Sequence, residues 1–382
     1  MGEDHLFKEI RLAALEAQVY RAPIAAPVRT SFGIMRDRPA VLIRAVDQDG
    51  TEGWGEVWCN FPSVGAEHRA RLIEESLAPL LLGRSFASPK AAFGELSAAL
   101  AVLALQSGEL GPVAQTVAGI DIALWDLTAR RAGLPLYRLF GADRIEAISV
   151  YASGLNPDQP EHLACEKQAQ GYRAFKLKVG FGRDRDLGNL KALRESLGPD
   201  CSLMIDANQA WDLEEAIVMA RLAEPFGLDW LEEPLRADTP RRHWQALARA
   251  TSLPLAAGEN IRGEEVFAEA IREGALRVLQ PDIAKWGGFS GCIPVGRKAL
   301  AAGVRFCPHW LGGGIGLAAS LHLLAAVGGD GLVEVDSNPN PLRELMAVDA
   351  LAVTSGTMRV PQGAGLGVTT DFEALKEFRV TQ

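Results

Sequence analysis

The chain has 382 residues, of which 48% are hydrophobic, and 39 lysines and arginines stand against 48 aspartates and glutamates for a formal charge of −9. This is enough to bury a barrel of about 250 residues and a second, smaller unit. An acidic chain with no basic block excludes nucleic acid and anionic membranes as partners, and no apolar run approaches the roughly 18 residues of a membrane span.

The start, Met1-Gly2-Glu3-Asp4-His5, is acidic rather than a basic signal region, and Leu6 stands where an acylation motif needs Ser or Thr. A cytoplasmic location is expected. Residues 1–140 read as an α+β unit. The alternating stretches Ala40-Val41-Leu42-Ile43-Arg44-Ala45-Val46 and Gly53-Trp54-Gly55-Glu56-Val57 flank Asp47-Gln48-Asp49-Gly50, whose Asp-Gly signals a turn. Helices follow at 66–82, 88–106 and 112–132, punctuated by Gly83, Pro89 and Gly111-Pro112.

From Ala147-Ile148-Ser149-Val150-Tyr151 onward, short apolar runs recur about every 25 residues, the length of one strand-plus-helix unit of a (β/α)8-type barrel. The barrel occupies residues 141–350. Seven of the runs lead into a polar or ionisable residue: Lys178, Asp206, Glu232, Glu259, Asp282, His309 and Glu334. Since the carboxyl ends of barrel strands open on one rim, these residues converge on one mouth. Residues 351–382 are too few for another unit and are expected to return to the N-terminal domain as a strand and cover. Five cysteines, Cys59, Cys165, Cys201, Cys292 and Cys307, show no CxxC spacing and read as small buried hydrophobes.

Asp206, Glu232 and Glu259 would end three neighbouring strands. One acid there commonly caps the following helix, but three in succession would repel one another unless a cation lay between them, and hard oxygen ligands suit Mg²⁺. Asn208 can face the same side as Asp206, whereas Glu233 should face away from Glu232 and support the ligands from behind. Lys176 and Lys178 share a strand face; each should lower the other's pKa, leaving a usable base near neutral pH. Asp282 can hold one imidazole nitrogen of His309 and raise the basicity of the other. Glu334 either hydrogen-bonds a substrate carboxylate in protonated form or pairs with an arginine such as Arg343. A cation between a lysine and a histidine suits removal of a proton next to a carboxylate.

At these residues the chain resembles the mandelate racemase branch of the enolase superfamily, over nearly its whole length. The segments that carry the likeness are Phe175-Lys176-Leu177-Lys178-Val179-Gly180, Ile205-Asp206-Ala207-Asn208, Glu232-Glu233-Pro234, Gly258-Glu259-Asn260, Gln280-Pro281-Asp282, Pro308-His309 and Val333-Glu334-Val335. Upstream, Ala118 to Leu127 and Pro135-Leu136-Tyr137 are similar to the family's link between cap and barrel. The resemblance implies a modified (β/α)7β barrel under an N-terminal α+β capping domain that the C-terminal tail completes. It further implies a Mg²⁺ cofactor, Lys178 and His309 as the acid/base pair, Lys176 tuning Lys178, and Glu334 on a substrate carboxylate. Lid loops at Ser31-Phe32-Gly33 and Trp58-Cys59-Asn60-Phe61 would close the site and choose the substrate, with Trp310 beside it. The run Trp310-Leu311-Gly312-Gly313-Gly314-Ile315-Gly316 is richer in glycine than expected of the racemase itself; its amides either approach a polar substrate or form a tight turn.

Three functions are then open: a lyase dehydrating an aldonate or aldarate to a 2-keto-3-deoxy acid, a racemase or epimerase of a 2-hydroxy acid, and an inactive metal-bound barrel. The expected partner is a small carboxylate substrate. The resemblance also implies homo-oligomers, as dimers or as octamers built from them.

Overall fold

In the computed structural model, which describes residues 8–348 and 350–381, an α+β cap sits on a barrel. The acidic start and His5 lie outside the described residues. Three antiparallel strands, β1 (Leu12–Arg29), β2 (Ile34–Asp47) and β3 (Glu52–Val57), form the cap's sheet in that order. The β2–β3 turn falls at the Asp-Gly, with Gly50 at φ 83°.

The cap's helices are α1 (Gly65–Leu72), continued by a π-turn into α2 (Ala78–Leu81), then α3 (Pro89–Ser107) and α4 (Leu110–Ala132). Ser88 caps α3 by accepting from the Ala91 amide at 3.2 Å, and Gly108 and Gly133 end α3 and α4 in the left-handed region. These helices fall where the periodicity predicts them. β1 is not signalled by its sequence: Leu-Ala-Ala-Leu-Glu-Ala is helix-favouring, and pairing with β2 along most of its length overrides that propensity.

The barrel strands are β4 (Ala147–Leu155), β5 (Ala174–Lys178), β6 (Ser202–Asp206), β7 (Leu231–Glu232), β8 (Leu255–Ala257), β9 (Val278–Leu279), β10 (Arg305–Phe306) and β11 (Val333–Asp336). They pair in parallel in sequence order from β4 to β10, and β11 returns to pair with β4. Between them run α5 (Pro160–Ala169), α6 (Arg183–Leu197), α7 (Leu213–Ala223), α8 (Arg241–Ala250), α9 (Glu264–Glu273), α10 (Gly288–Ala301) and α11 (Gly314–Val327), with α12 (Pro341–Met346) after β11. Tyr151, Met204, Trp230, Val278 and Cys307 fill the lumen as a cluster of their own, and the Trp230 ring meets Tyr151 edge-on at 5.4 Å. The site stands on this plug.

Two expectations change. The strands β8 to β10 are short, so Glu259, Asp282 and His309 lie two or three residues beyond them in the loops, and a single parallel bridge between Asp282 and His309 keeps those loops in register. The tail's strands, β12 (Val353–Thr354) and β13 (Thr357–Arg359), join the barrel rather than the cap, since β13 pairs antiparallel with the start of β4. Only beyond them does the chain touch the cap: the Leu366 amide donates to Asp126 at 2.6 Å, Phe372, which opens α13 (Phe372–Leu375), lies 4.6 Å from the Trp54 ring, and the Val380 amide donates to Val19 at 2.9 Å. Four of the cysteines are buried as expected, whereas Cys165 is exposed on α5.

Candidate active site

Parallel register places Lys178 beside Asp206 and Asp206 beside Glu232 at the mouth. All five positions of β5 are buried, and Lys176 and Lys178 both reach carboxylates. Lys176 Nζ stands 2.5 Å from Glu232 Oε1, 2.8 Å from Glu334 Oε1 and 3.8 Å from Asp206 Oδ2. Lys178 Nζ donates to Asp206 Oδ2 at 2.5 Å. Lys176 lowers Lys178 as the sequence suggests, but the net shift is upward. Burial and Lys176 push Lys178 down, but Asp206 and its neighbours prevail and hold it above the usual lysine range; Lys176 is held well above it by Glu232 and Glu334 against the same burial.

Across the mouth, His309 Nδ1 meets Asp282 Oδ2 at 2.7 Å, and Asp282 Oδ1 accepts from the amides of Ala284 (2.9 Å) and Lys285 (3.0 Å). The ring is thereby oriented, with Nε2 on Glu259 Oε2 and 3.6 Å from Glu334 Oε2. Burial works against the imidazolium, but Glu259, Glu334 and Asp282 outweigh it and hold His309 well above its ordinary pKa.

The cations around Glu334 favour its carboxylate form over the protonated donor expected. Burial pushes it up, yet Lys176, His309 and Lys178 bring it to about 2, and it accepts from Ser153 Oγ and, at 3.1 Å, from the Trp310 amide. Arg343 is not its partner; that guanidinium binds Glu344 and the carbonyls of Asp336 and Asn338.

Each presumed metal ligand is oriented from behind. Asn208 donates to Asp206 through its amide N at 2.7 Å and its side chain at 3.1 Å, Trp230 Nε1 (3.0 Å) and Gln280 Nε2 (2.6 Å) hold Glu232 Oε2, and Asn260 Nδ2 bridges Glu259 (2.8 Å) and Glu233 (2.9 Å). The three carboxylates do not form a tight cage: each faces its own nitrogen, and among the described residues no three His, Cys, Asp or Glu side chains gather closely enough to hold an ion.

The donor set nevertheless fits a divalent cation. Fully ionised, Asp206, Glu232, Glu233, Glu259, Asp282 and Glu334 face Lys176, Lys178, Lys285 and the His309 imidazolium, which leaves two negative charges unanswered. Burial, together with that surplus, pushes Glu232 to about 7 and Glu233 to about 8. Beside the acids, the buried oxygens Asn208 Oδ1 and Gln280 Oε1 accept no hydrogen bond, as suits groups that face a hydrated cation.

The five residues expected to touch substrate besides Asn208 divide. Ser31 Oγ donates to the Asn208 carbonyl at 2.8 Å and ties the first lid loop to the barrel. Phe32 and Trp58 line a cavity beside Glu259, Phe32 being 60% exposed. Asn60 and Trp310 are engaged elsewhere: Asn60 Nδ2 donates to the Leu311 carbonyl at 2.6 Å, and Trp310 is 2% exposed with its indole N–H on the Gly313 carbonyl.

The glycine-rich run is explained by the cap and by Trp310. Gly313 N (2.5 Å) and Gly316 N (2.8 Å) donate to Glu56 of β3, and a Cβ at Gly313 would stand 2.6 Å from that carboxylate; one at Gly312 or Gly316 would strike the Trp310 indole. The amides of Gly313 and Gly316 are thus taken up by the cap. Glu56, Lys285 and Ser153 escape sequence reasoning because their partners are remote, although Lys285 stands three residues past Asp282; Asn260, beside Glu259 in a quoted segment, was given no role.

Residues 14–141 match the N-terminal domain of the mandelate racemase / muconate lactonizing enzyme family, and residues 161–375 match the enolase C-terminal domain-like family. The chain belongs to the enolase superfamily, in its mandelate racemase/muconate lactonizing enzyme group. A crystal structure of a mandelate racemase/muconate lactonizing enzyme from Bordetella bronchiseptica RB50 superposes with a TM-score of 0.91 at 54% identity, covering 97% of this chain and 99% of that one. A racemase from Streptomyces coelicolor with bound magnesium superposes at 0.87, with 30% identity over 97% of this chain and all of that one. D-galactarolactone cycloisomerase of Agrobacterium fabrum is 31% identical over 97% of this chain and 99% of its own. Other relatives in the group are named as dehydratases and as racemases. Among the described residues no helix is long and apolar enough to cross a membrane.

Proposed function

We propose that this enzyme removes the proton α to the carboxylate of an acid sugar and expels the β-hydroxyl, producing a 2-keto-3-deoxy acid. One observation carries the reading: Lys178 Nζ and His309 Nε2 face the same group of carboxylates from β5 and from beyond β10, across the barrel mouth. Relatives named for galactarolactone, arabinonate and talarate/galactarate support the substrate class.

Asp206, Glu232 and Glu259 would hold Mg²⁺, which supplies neutralisation of the negative charge that builds on the substrate carboxylate as the proton leaves. Lys178 keeps its own proton while Asp206 faces it alone; in its neutral form Nζ takes the α-proton, and the C–H electron pair becomes the new C=C bond. With Nδ1 committed to Asp282, His309 has one nitrogen to offer; Nε2 gives its proton to the β-hydroxyl as the C–O bond breaks, so the group departs as water. The enol product tautomerises to the keto acid. Glu334, fixed by Lys176 and the Trp310 amide, keeps the His309 and Lys178 sides apart. Phe32 and Trp58 line the approach.

The same two groups could instead return the proton to the opposite face, and relatives named as racemases favour that second reading. A panel of aldonic and aldaric acids incubated with Mg²⁺ in D₂O separates them. Keto acid supports the dehydratase; deuterium at an inverted α-carbon without keto acid overturns it in favour of the isomerase.

A further inference from the structure

A cavity of about 220 Å³ opens beside Glu259, between Phe32 and Trp58 of the cap and Lys285 and Arg262 of the barrel. Its polar lining is one-sided. Lys285 Nζ gives one hydrogen bond to Glu259 Oε1 (3.2 Å) and one to Asn260 Oδ1 (3.0 Å), and packs 4.5 Å from the centre of the Trp58 ring. An ammonium has three N–H donors, so one is left. Arg262, at the outer edge, has no acid partner among the described residues.

Two glutamines complete the lining, and each has one acceptor bond already made. Gln115 Oε1 takes the Arg69 Nε proton at 3.0 Å and Gln209 Oε1 takes the Ala237 amide at 2.8 Å, which leaves each side chain its NH₂. The one acid present, Glu259, is already met by His309, Asn260 and Lys285. The charged lining is thus weighted toward cations, Lys285 and Arg262 against Glu259, in a chain whose formal charge is −9. Cationic donors held together in a cavity recognise an anion, and a planar guanidinium suits a carboxylate.

We infer that this cavity receives a second carboxylate of the substrate, so that the enzyme selects diacids, aldarates over aldonates. The inference rests on the reaction proposed above and adds to it: one end of the sugar acid presents its α-proton to Lys178 while the far end meets Arg262, Lys285 and the two glutamine amides.

The test compares each aldarate with the aldonate of the same configuration, a pair that differs only in a terminal carboxylate against a hydroxymethyl group, in the wild type and in Arg262→Ala. Arg262 is exposed, so its removal is expected to leave folding intact. The expected result is a kcat/KM at least tenfold higher for the aldarate, with Arg262→Ala raising KM for the aldarate tenfold or more at little change in kcat and leaving the aldonate unaffected. Binding of glutarate and of pentanoate with Mg²⁺, followed by calorimetry, gives a second readout that needs no turnover: glutarate should bind at least tenfold tighter, and Arg262→Ala should erase the difference. Turnover without preference for the diacid, or a loss shared equally by both acids, overturns the inference and leaves the reaction standing. Arg262-dependent glutarate preference without turnover of any sugar acid leaves the anion site standing and overturns the reaction. Equal binding of glutarate and pentanoate with no turnover overturns both.

Discussion

Glu56 accepts a 2.8 Å hydrogen bond from the amide of Gly316, a residue 260 positions further along the chain. Through this bond and its companion from Gly313, the cap's β3 holds the loop that follows His309, and that loop's Trp310 amide holds Glu334. Replacing Glu56 by Gln turns one acceptor into a donor facing an amide N–H, which costs about 1–3 kcal/mol. The consequence should fall on His309 more than on Lys178. Glu56→Gln is expected to lose keto-acid formation while α-proton exchange in D₂O persists, as proton NMR of the recovered substrate would register. Equal loss of both would reduce Glu56 to a structural clamp.

The two bases should separate in the same experiment. Lys178→Met is expected to remove α-proton exchange and dehydration together, by about 10²–10⁴-fold. His309→Asn should stop dehydration by a similar factor and spare exchange on the lysine face. Retained dehydration in either variant contradicts the assigned roles.

The surplus of two negative charges predicts that Mg²⁺ stabilises the fold. At a hundred times its dissociation constant the ion should add about 2.7 kcal/mol, read as a rise in Tm that chelation reverses. Glu232→Gln is expected to shrink the rise sharply. A melting temperature indifferent to Mg²⁺ in the wild type would count against the three acids as ligands.

His322 of α11 sets an acid limit on stability. It is buried, accepts the Tyr137 amide on Nδ1 at 3.3 Å and donates from Nε2 to the Leu366 carbonyl at 3.1 Å. Burial lowers its pKa to about 4, against the favourable Leu366 bond. Between pH 4 and 6.5 the unfolded chain therefore binds a proton that the folded one refuses. Stability from this group is present in full above 6.5 and is lost as pH falls toward 4, on the order of 3 kcal/mol. His322→Gln should flatten the dependence of unfolding free energy on pH in that window by about one proton. An unchanged slope would show that His322 titrates normally.

Sequence alone showed the barrel and its rim because that part is repetitive. Apolar runs leading to Lys178, Asp206, Glu232 and Glu334 recur at the period of one strand and one helix, and parallel pairing turns such a list into neighbours. It showed less where a side chain's role depends on a distant partner. Nothing near Glu56 announces Gly313, and nothing near Lys176 says that Glu232 and Glu334 will overcome the repulsion of Lys178. Trp310 and Asn60 have the right residue types for a substrate pocket, yet Asn60 is consumed in joining cap to barrel and Trp310 in shaping its own loop. β1 was hidden because its propensity points to helix and only its neighbour in space makes it a strand.

Lys176 carries its charge into the centre of the barrel, between acids from three strands, and cannot leave without uncovering them. Valence selection follows from that fixed ammonium. A monovalent ion would leave one carboxylate unanswered and a trivalent one would oversupply the mouth, whereas an ion of charge two brings it to neutrality. Removing the ammonium in Lys176→Met is expected to move that balance point up by one, toward the lanthanides, with the three acids expected to bind the ion all kept.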